Sequence, residues 1–293
     1  MFWRMITIEQ QKLTRRAMFW VEMGLLLLIV VAFFGGIFGI RQALLNGVDT
    51  SGSDGGLVIT GIDVEMATDL LTWPLGIATG FSIVNGVGTF LIIILAGTFV
   101  AQEYGWRTVQ LWLTRGVPRP VVMLAKFTAV TIVTFIFVML VALMGTGITA
   151  VFSQSYLGNI PVDTIQWGQL ILSIFLGTVA LLPYAALAFF LGVVSRSTVV
   201  AIGGGLAFTS LIEPLLGSLA QFLDGRWAAF AGYLPNQLHG VLSSQLAEIS
   251  SSGLPVTAAG DINMITAVSI LTLYVVLFVG AAVVVFQRQD VGG

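Results

Sequence analysis

The sequence lacks cysteine altogether and has a single histidine, His239, among its 293 residues. Disulfides, thiolate metal sites and cysteine nucleophiles are therefore excluded, and a zinc site on this chain is not expected. Also missing are the phosphate-binding pattern G-x-x-x-x-G-K-[ST], the metalloprotease pattern H-E-x-x-H and the nucleophile elbow G-x-S-x-G. The sequence thus predicts neither an enzyme activity nor a cofactor on this chain, and His239 is interpreted as a polar residue in an exposed loop.

Charged residues are scarce, since they make up 9% of the chain whereas 57% of its residues are apolar. That composition excludes a soluble globular domain and indicates an integral membrane protein. About 20 helical residues are needed to cross the hydrocarbon of a bilayer. Charge-free runs of that kind predict an all-α membrane protein with one domain, 1–293. Its six predicted spans are residues 18–40, 76–101, 120–150, 167–194, 198–213 and 263–287.

The distribution of lysine and arginine predicts the orientation of these spans. With six spans both termini lie on one side of the membrane, and that side would carry ten of the twelve basic residues. The positive-inside rule then places both termini in the cytoplasm. The ten residues are Arg4, Lys12, Arg15, Arg16, Arg107, Arg115, Arg119, Lys126, Arg196 and Arg288, and the two on the opposite side are Arg41 and Arg226.

The N-terminal residues 1–17 combine apolar side chains with Glu9, Lys12, Arg15 and Arg16. This mixture is typical of an amphipathic helix that lies in the membrane interface. A simple basic anchor that fixes the topology would explain the same composition.

Polar residues interrupt two of the predicted spans. An amide in hydrocarbon needs a partner, so Asn85, with Thr89 close by, is expected to face another helix or a polar path. In the fifth span, Glu213 comes roughly 20 to 25 Å across the membrane and is the buried acid predicted to have a function. We expect the helix to break at Pro214 and residues 214–235 to form re-entrant outer helices. The alternative is a fifth helix that continues with a kink.

The segment 102–126, between the second and third spans, mixes several cations and an acid with amphipathic spacing. Within it, residues 103–116 are predicted to form a short amphipathic helix, because its apolar residues recur at helical spacing. Glu103 and Lys126, at the two ends of the segment, are placed to pair. The alternative is an interfacial loop whose basic residues only fix the topology.

This segment also carries a resemblance to a known family. From Glu103 it reads E-Y-x-x-x-T-x-x-x-x-L-x-x-G-x-x-R, and Lys126 follows at the start of the next span. The N-terminal pattern E-x-x-K-L-x-R-R, the six-span layout and Tyr233-Leu234-Pro235 after the fifth span agree with it. The chain resembles the ABC-2 type permeases, the membrane subunits of ATP-binding-cassette exporters, over nearly its whole length.

The resemblance implies roles for particular residues. In that family the helix between spans two and three is a coupling helix that docks onto a separately encoded ATPase, with the N-terminal helix beside it. Contact with the ATPase would involve Glu103, Tyr104, Arg107, Thr108 and Arg115, and the translocation path or gate would involve Asn85, Thr89, Glu213 and Pro214.

The expected protein is then the permease subunit of an ATP-driven exporter in a prokaryotic cell membrane. Its partners would be ABC ATPase subunits, which hold the ATP and Mg, a second permease copy or paralogue, and the lipid bilayer. No nucleic-acid partner is expected. A secondary transporter and a scaffold subunit of a membrane complex are the two rival interpretations, but neither explains the amphipathic segment 102–126.

Overall fold

A computed structural model describes residues 2–46, 62–105, 117–160, 162, 167–222, 231–247 and 262–289. These residues form helices joined by short turns and contain no strand. Six of the helices are long and apolar enough to cross a membrane, as predicted. We name them spans 1 to 6, and their bounds are Ala17–Leu45, Leu75–Tyr104, Arg119–Leu157, Trp167–Ser195, Thr198–Leu219 and Met264–Arg288.

Shorter elements accompany the spans. An N-terminal helix covers Phe2–Thr14, and two further helices cover Val64–Leu71 and Pro235–Ala247. Spans 2 and 5 each contain a π-helical turn, at Val84–Gly88 and at Phe208–Ile212. The α-helices that flank these turns are Leu75–Ile83 and Thr89–Gly105 in span 2, and Thr198–Ala207 and Glu213–Phe222 in span 5.

Spans 2, 3 and 4 form the core of the bundle, whereas spans 1, 5 and 6 lie around it. In span 2, 75% of the most apolar window is buried, compared with 17% in spans 5 and 6. Large apolar side chains such as Leu28, Leu211 and Val276 are exposed on the outer spans. In a water-soluble protein such faces would be unstable, so the distribution suits a chain surrounded by lipid or by other apolar helices.

Small residues allow spans 2, 4 and 5 to approach closely. A methyl group added to Gly97 of span 2 would lie 3.1 Å from Cβ of Ala201 in span 5. One added to Gly205 would lie 2.6 Å from Cγ2 of Ile93. Because Gly97 pairs with Ala201 and Ile93 with Gly205, the two spans run antiparallel in a defined register.

The turn between spans 4 and 5 is short, as the predicted bounds 167–194 and 198–213 imply. Span 4 ends at Ser195 and span 5 begins at Thr198, so the two helices form the expected antiparallel pair. Arg196 has a φ of 54°, which is the left-handed conformation that commonly ends a helix. Its N–H donates to the carbonyl of Gly192 at 3.1 Å.

The expected break at Glu213–Pro214 is not found, because the helix continues to Phe222. The π-helical turn Phe208–Ile212 directly precedes the proline, and the N–H of Glu213 bonds the carbonyl of Phe208. A proline has no N–H and clashes with the carbonyl four residues earlier. A local π-helical adjustment is one way to relieve this conflict within a helix, so the continuing helix, the alternative reading, is the one observed. Of the predicted re-entrant region, residues 223–230 lie outside the described residues.

Two shorter helices lie between the spans, near the end of the bundle opposite the N-terminal helix. The Val64–Leu71 helix begins where the carboxylate of Asp63 accepts a hydrogen bond from the N–H of Met66 at 2.7 Å, a typical N-cap. Arg41, in the last turns of span 1, donates to the Thr68 hydroxyl at 2.8 Å. The Pro235–Ala247 helix begins where the predicted re-entrant region 214–235 ends, and it packs beside spans 4 and 6.

Candidate functional site

Four charged side chains meet at one end of the bundle, and we call them the four-charge cluster. Glu9 and Lys12 lie on the N-terminal helix, Glu103 lies at the end of span 2, and Lys126 lies in the second turn of span 3. Their helices come from distant parts of the chain, so the cluster joins three separate elements. This end also carries Arg196 and Arg288, and we call it the basic end.

Short ion pairs connect the members of the four-charge cluster. Lys126 Nζ lies 2.6 Å from Glu9 Oε2 and 2.6 Å from Glu103 Oε1. Lys12 Nζ lies 2.8 Å from Glu9 Oε1 and 3.3 Å from Glu103 Oε1. The predicted pairing of Glu103 with Lys126 is therefore confirmed, and Glu9 takes part as a second acceptor that the sequence did not reveal.

The burial of these side chains determines how much the ion pairs affect the stability of the fold. Glu9, Glu103 and Lys126 are at most 2% exposed, whereas the side chain of Lys12 is 29% exposed. Two carboxylates face two ammonium groups, so the cluster is neutral as a whole. Charges removed from water need such compensation because their desolvation is costly.

Aromatic and polar neighbours surround the cluster. The centroid of the Phe99 ring lies 4.8 Å from Lys126 Nζ and 5.2 Å from the guanidinium carbon of Arg16. Arg16 Nη1 donates to Gln102 Oε1 at 3.2 Å. Burial lowers the pKa of Arg16, while the carboxylates of Glu103 and Glu9 act in the opposite direction.

The C-terminal end of span 6 joins the same region. Tyr104 donates its hydroxyl hydrogen to Gln289 Oε1 at 3.3 Å, and Gln289 Nε2 donates to the carbonyl of Val193 at 2.9 Å. Arg119 Nη1 donates to the carbonyl of Gln287 at 2.8 Å. The first and last described helices therefore meet at the basic end, which agrees with an even number of spans.

The predicted coupling residues divide into two groups. Glu103 and Tyr104 lie at the end of span 2 and contact other helices of the bundle. Arg107, Thr108 and Arg115, with most of the predicted coupling helix 103–116, lie outside the described residues. In the N-terminal helix and the turn after it, Glu9 is buried and Arg15 is exposed.

Glu213, predicted to act at the gate, is buried near the opposite end of the bundle. Its Oε2 accepts a hydrogen bond from the hydroxyl of Tyr184 at 3.1 Å, and its Oε1 accepts one from the N–H of Asn236 at 3.2 Å. The carboxylate thus connects span 5 with span 4 and with the first turn of the Pro235–Ala247 helix, where a helix N-terminus favours an anion. Pro214, the next residue, is exposed.

The remaining predicted gate residues lie in span 2. Asn85 is in the π-helical turn Val84–Gly88, and its side chain is outside the described part of the structure. Thr89 is buried at the start of the helix that follows. Within the described ranges, no three metal-ligating side chains come together.

Two buried titratable residues were missed at the level of sequence. Glu22 lies inside span 1, as the predicted bounds 18–40 imply, but its burial was not predicted. His239 lies on the Pro235–Ala247 helix and is buried, so its interpretation as an exposed loop residue was wrong. For Glu9 the sequence carried a signal of burial but not of its ion pairs, because Glu9 falls four residues from both Met5 and Leu13 on the apolar face of the N-terminal helix.

His239 is expected to make the protein sensitive to acid. Burial lowers the pKa of His239 from 6.5 to about 4, although a hydrogen bond to the backbone of Ala180 acts in the opposite direction. Between these two values the unfolded chain binds a proton that the folded chain does not, so stability falls as the pH falls. The loss should approach about 3 kcal/mol near the lower value.

The measurement is the apparent unfolding temperature of the detergent-purified protein across that pH range. His239→Asn is the matched variant, because the amide can still donate to the Ala180 carbonyl but does not titrate. Its unfolding temperature should depend less on pH than that of the wild type. Equal pH dependence in both proteins would show that other groups cause the acid sensitivity.

Comparison with known proteins assigns the chain to a protein family. A search among curated proteins gives no match. The sequence profile of the family described as "Protein of unknown function (DUF2705)" matches residues 72–292. The match begins just before span 2 and includes Glu103, Lys126, Glu213 and His239, whereas Glu9 and Lys12 precede it. Since it extends over more than half of the chain, the protein belongs to the DUF2705 family.

Proposed function

We propose that the protein is the permease subunit of an ATP-driven ABC exporter, located in a prokaryotic cell membrane with both termini in the cytoplasm. In this proposal ATP and Mg are bound by separate ATPase subunits, which dock on the segment between spans 2 and 3. A second permease copy or paralogue completes the path. The sequence resemblance suggests the class, and the arrangement of the basic end supports it.

The four-charge cluster is the observation that carries the proposal. Residues 106–116, the core of the predicted docking segment, are flanked by Glu103 on one side and Lys126 on the other. These two side chains pair directly and are held by Glu9 of the N-terminal helix. A force applied to the docking segment would therefore reach spans 2 and 3 and the N-terminal helix together, because a buried ion cluster resists separation.

The opposite end of the bundle supplies a candidate gate. The register of Gly97 with Ala201 and of Ile93 with Gly205, continued by two turns, brings the π-helical turn of span 2 level with Glu213 in span 5. π-Helical turns are often found at functional sites. Two such turns at one depth, next to a buried carboxylate, suit a point where spans 2 and 5 change shape during transport.

Exposed apolar faces support a second permease copy. Spans 1 and 5 bury small parts of their surfaces within this chain, 22% and 17% of their most apolar windows. Helices of that kind can pack against lipid or against another protein. A dimer through these two spans would leave the basic ends of both copies on the same side, where two ATPase subunits could dock.

The direct test is to purify the tagged full-length protein from its native membrane and identify what accompanies it. We expect an ATPase with a phosphate-binding loop, whose hydrolysis rate changes when this protein is added back in lipid. Recovery of non-ATPase proteins alone would favour the scaffold interpretation and contradict the proposal.

Charge-reversal variants then test which part of the basic end contacts the ATPase. Arg107→Glu should weaken stimulation of the ATPase, while Arg288→Glu, at an exposed cation of the same end, should not. Glu103 is unsuitable for this test because it is buried in the cluster, so its reversal would disturb the fold as well as any contact. Equal effects of Arg107→Glu and Arg288→Glu would show that general charge, not a specific contact, is involved.

A secondary transporter is the second candidate, since Glu22 and Glu213 are both buried in apolar spans and ionisable groups there often carry ions or protons. The two candidates differ in their need for a partner. Ion-driven substrate movement in liposomes that contain only the purified chain would favour the secondary transporter.

A further inference from the structure

Glu22 differs from every other buried carboxylate in the described part of the chain. Four glutamates there are at most 5% exposed: Glu9, Glu22, Glu103 and Glu213. Glu9 and Glu103 face lysines, and Glu213 accepts two hydrogen bonds. Neither carboxyl oxygen of Glu22 has a hydrogen-bond partner among the described residues.

A small cavity lies beside this carboxyl, between the start of span 1 and the second half of span 2. Its volume is about 20 Å³, and its lining includes Glu22, Thr98, Arg16, Phe19, Leu95 and Phe99. The hydroxyl of Thr98 is buried there and likewise has no partner within the described structure. A cavity of this size is large enough for one water molecule, and both polar groups with unmet hydrogen bonds belong to residues of its lining.

The charged groups around Glu22 are already engaged with one another. Span 1 packs against the N-terminal helix, spans 2 and 3 and the Val64–Leu71 helix. From these elements the basic end presents the four-charge cluster, whose members pair internally. Arg16 lines the cavity, but its guanidinium donates to Gln102 and lies over the Phe99 ring. No cation among the described residues forms an ion pair with Glu22.

An ionised carboxylate without a donor or a cation is strongly disfavoured in an apolar interior, whereas a protonated carboxyl is a neutral group that can donate to water. We propose that Glu22, Thr98 and one water molecule in this cavity form a proton-binding site, with the proton held on the Glu22 carboxyl at neutral pH. The water bridges the carboxyl and the threonine hydroxyl, and through it the proton exchanges with solvent. The site lies where span 1 meets span 2, one turn and a half beyond Arg16.

The groups that form the Glu22 site are the same whether the protein works with an ATPase or alone. Deprotonation would leave a negative charge next to the cavity that Arg16 also lines. The guanidinium could then turn from Gln102 toward Glu22, which would change how the N-terminal helix and span 1 are joined to span 2. While Glu22 is protonated, Arg16 therefore keeps its contacts with Gln102 and Phe99 beside the four-charge cluster.

Infrared spectroscopy of the full-length protein in phospholipid vesicles tests the proposal directly, because a protonated carboxyl has a carbonyl stretching band distinct from that of a carboxylate. At neutral pH the wild type should show a component that Glu22→Gln loses. Glu213→Gln is the matched control, since Glu213 is as deeply buried but hydrogen-bonded, and that variant should retain the component. Thr98→Val should shift its frequency, because the bridging water loses a partner.

Several results would overturn the proposal. One is a spectrum of Glu22→Gln with the same protonated carboxyl band as the wild type, and another is a Thr98→Val variant whose band does not move. A component that appears only when sodium is replaced by choline would identify a metal cation at the site instead. Glutamine has the shape of the protonated acid, so failure of Glu22→Gln to fold would also contradict the proposal, whereas an unchanged or higher unfolding temperature is expected.

Discussion

Replacement of Lys126 by methionine is expected to lower the free energy of unfolding by about 3 to 5 kcal/mol, the usual cost of removing one partner from a buried ion pair. The two carboxylates of Glu9 and Glu103 would remain in the interior with Lys12 as the sole cation of the cluster. The N-terminal helix should then detach from spans 2 and 3. Detachment is measurable because the chain has no native cysteine, so a spin label on Trp3→Cys, an exposed position, reports only this helix.

Two further variants separate charge from packing. Lys12→Met removes the same charge, but Lys12 is 29% exposed, so water can screen the remaining carboxylates and the loss should be smaller. In the double variant Lys126→Met with Glu9→Gln, one acid and one base remain and part of the stability should return. If Lys126→Met were no more harmful than Lys12→Met, the four-charge cluster would not be the joint that holds the basic end together.

Glu213→Ala is expected to release the Pro235–Ala247 helix from span 5. The substitution removes the acceptor of two hydrogen bonds and leaves the buried hydroxyl of Tyr184 without its partner. A hydrogen bond contributes about 0.5 to 1.5 kcal/mol, and a buried donor left unsatisfied costs about 1 to 3 kcal/mol, so the local loss should be about 2 kcal/mol or larger. Hydrogen–deuterium exchange of the backbone amides in residues 235–247 should accelerate accordingly.

Tyr184→Phe is the matched control for this prediction. It removes one donor while the bond from the N–H of Asn236 to Glu213 remains, so exchange in residues 235–247 should rise less than in Glu213→Ala. In the proposed transporter, Glu213→Ala should also reduce substrate movement more than ATP hydrolysis, since the lesion is far from the basic end. If the exchange rates of residues 235–247 were the same in Glu213→Ala and the wild type, the carboxylate would not anchor that helix.

Much of the architecture could be predicted because long apolar runs have few alternatives. A stretch without charges that is long enough to cross a bilayer forms a helix, since every backbone polar group must be satisfied internally. The bias of lysine and arginine placed the basic residues at one end, and the described ones such as Lys126, Arg196 and Arg288 do lie there. The pairing of Glu103 with Lys126 could also be predicted from the sequence, because these residues border the segment that connects spans 2 and 3.

The sequence predicted the ends and breaks of the helices less well, because they depend on the local backbone geometry and on the neighbouring elements. Pro214 suggested a break, but a π-helical turn immediately before it lets the helix continue. The first span was predicted to end at residue 40, before Arg41, yet the helix continues through Arg41 to Leu45. A charge can remain within such a helix when other elements cover it, as they do Glu22, or bind it, as Thr68 binds Arg41.

The sequence by itself determined the all-helical class, the six spans and the end of the bundle at which most cations gather, because these follow from composition and period along the chain. Only the tertiary structure decided which charges meet. Glu9 and Lys126 are 117 residues apart, and nothing in the spacing of residues along either helix indicates that the fold brings these two side chains within 2.6 Å of each other. The same holds for Glu22 and His239, whose burial depends on the neighbours that cover them. Ion pairing and burial are properties of contacts between helices, and those contacts exist only once the bundle has formed.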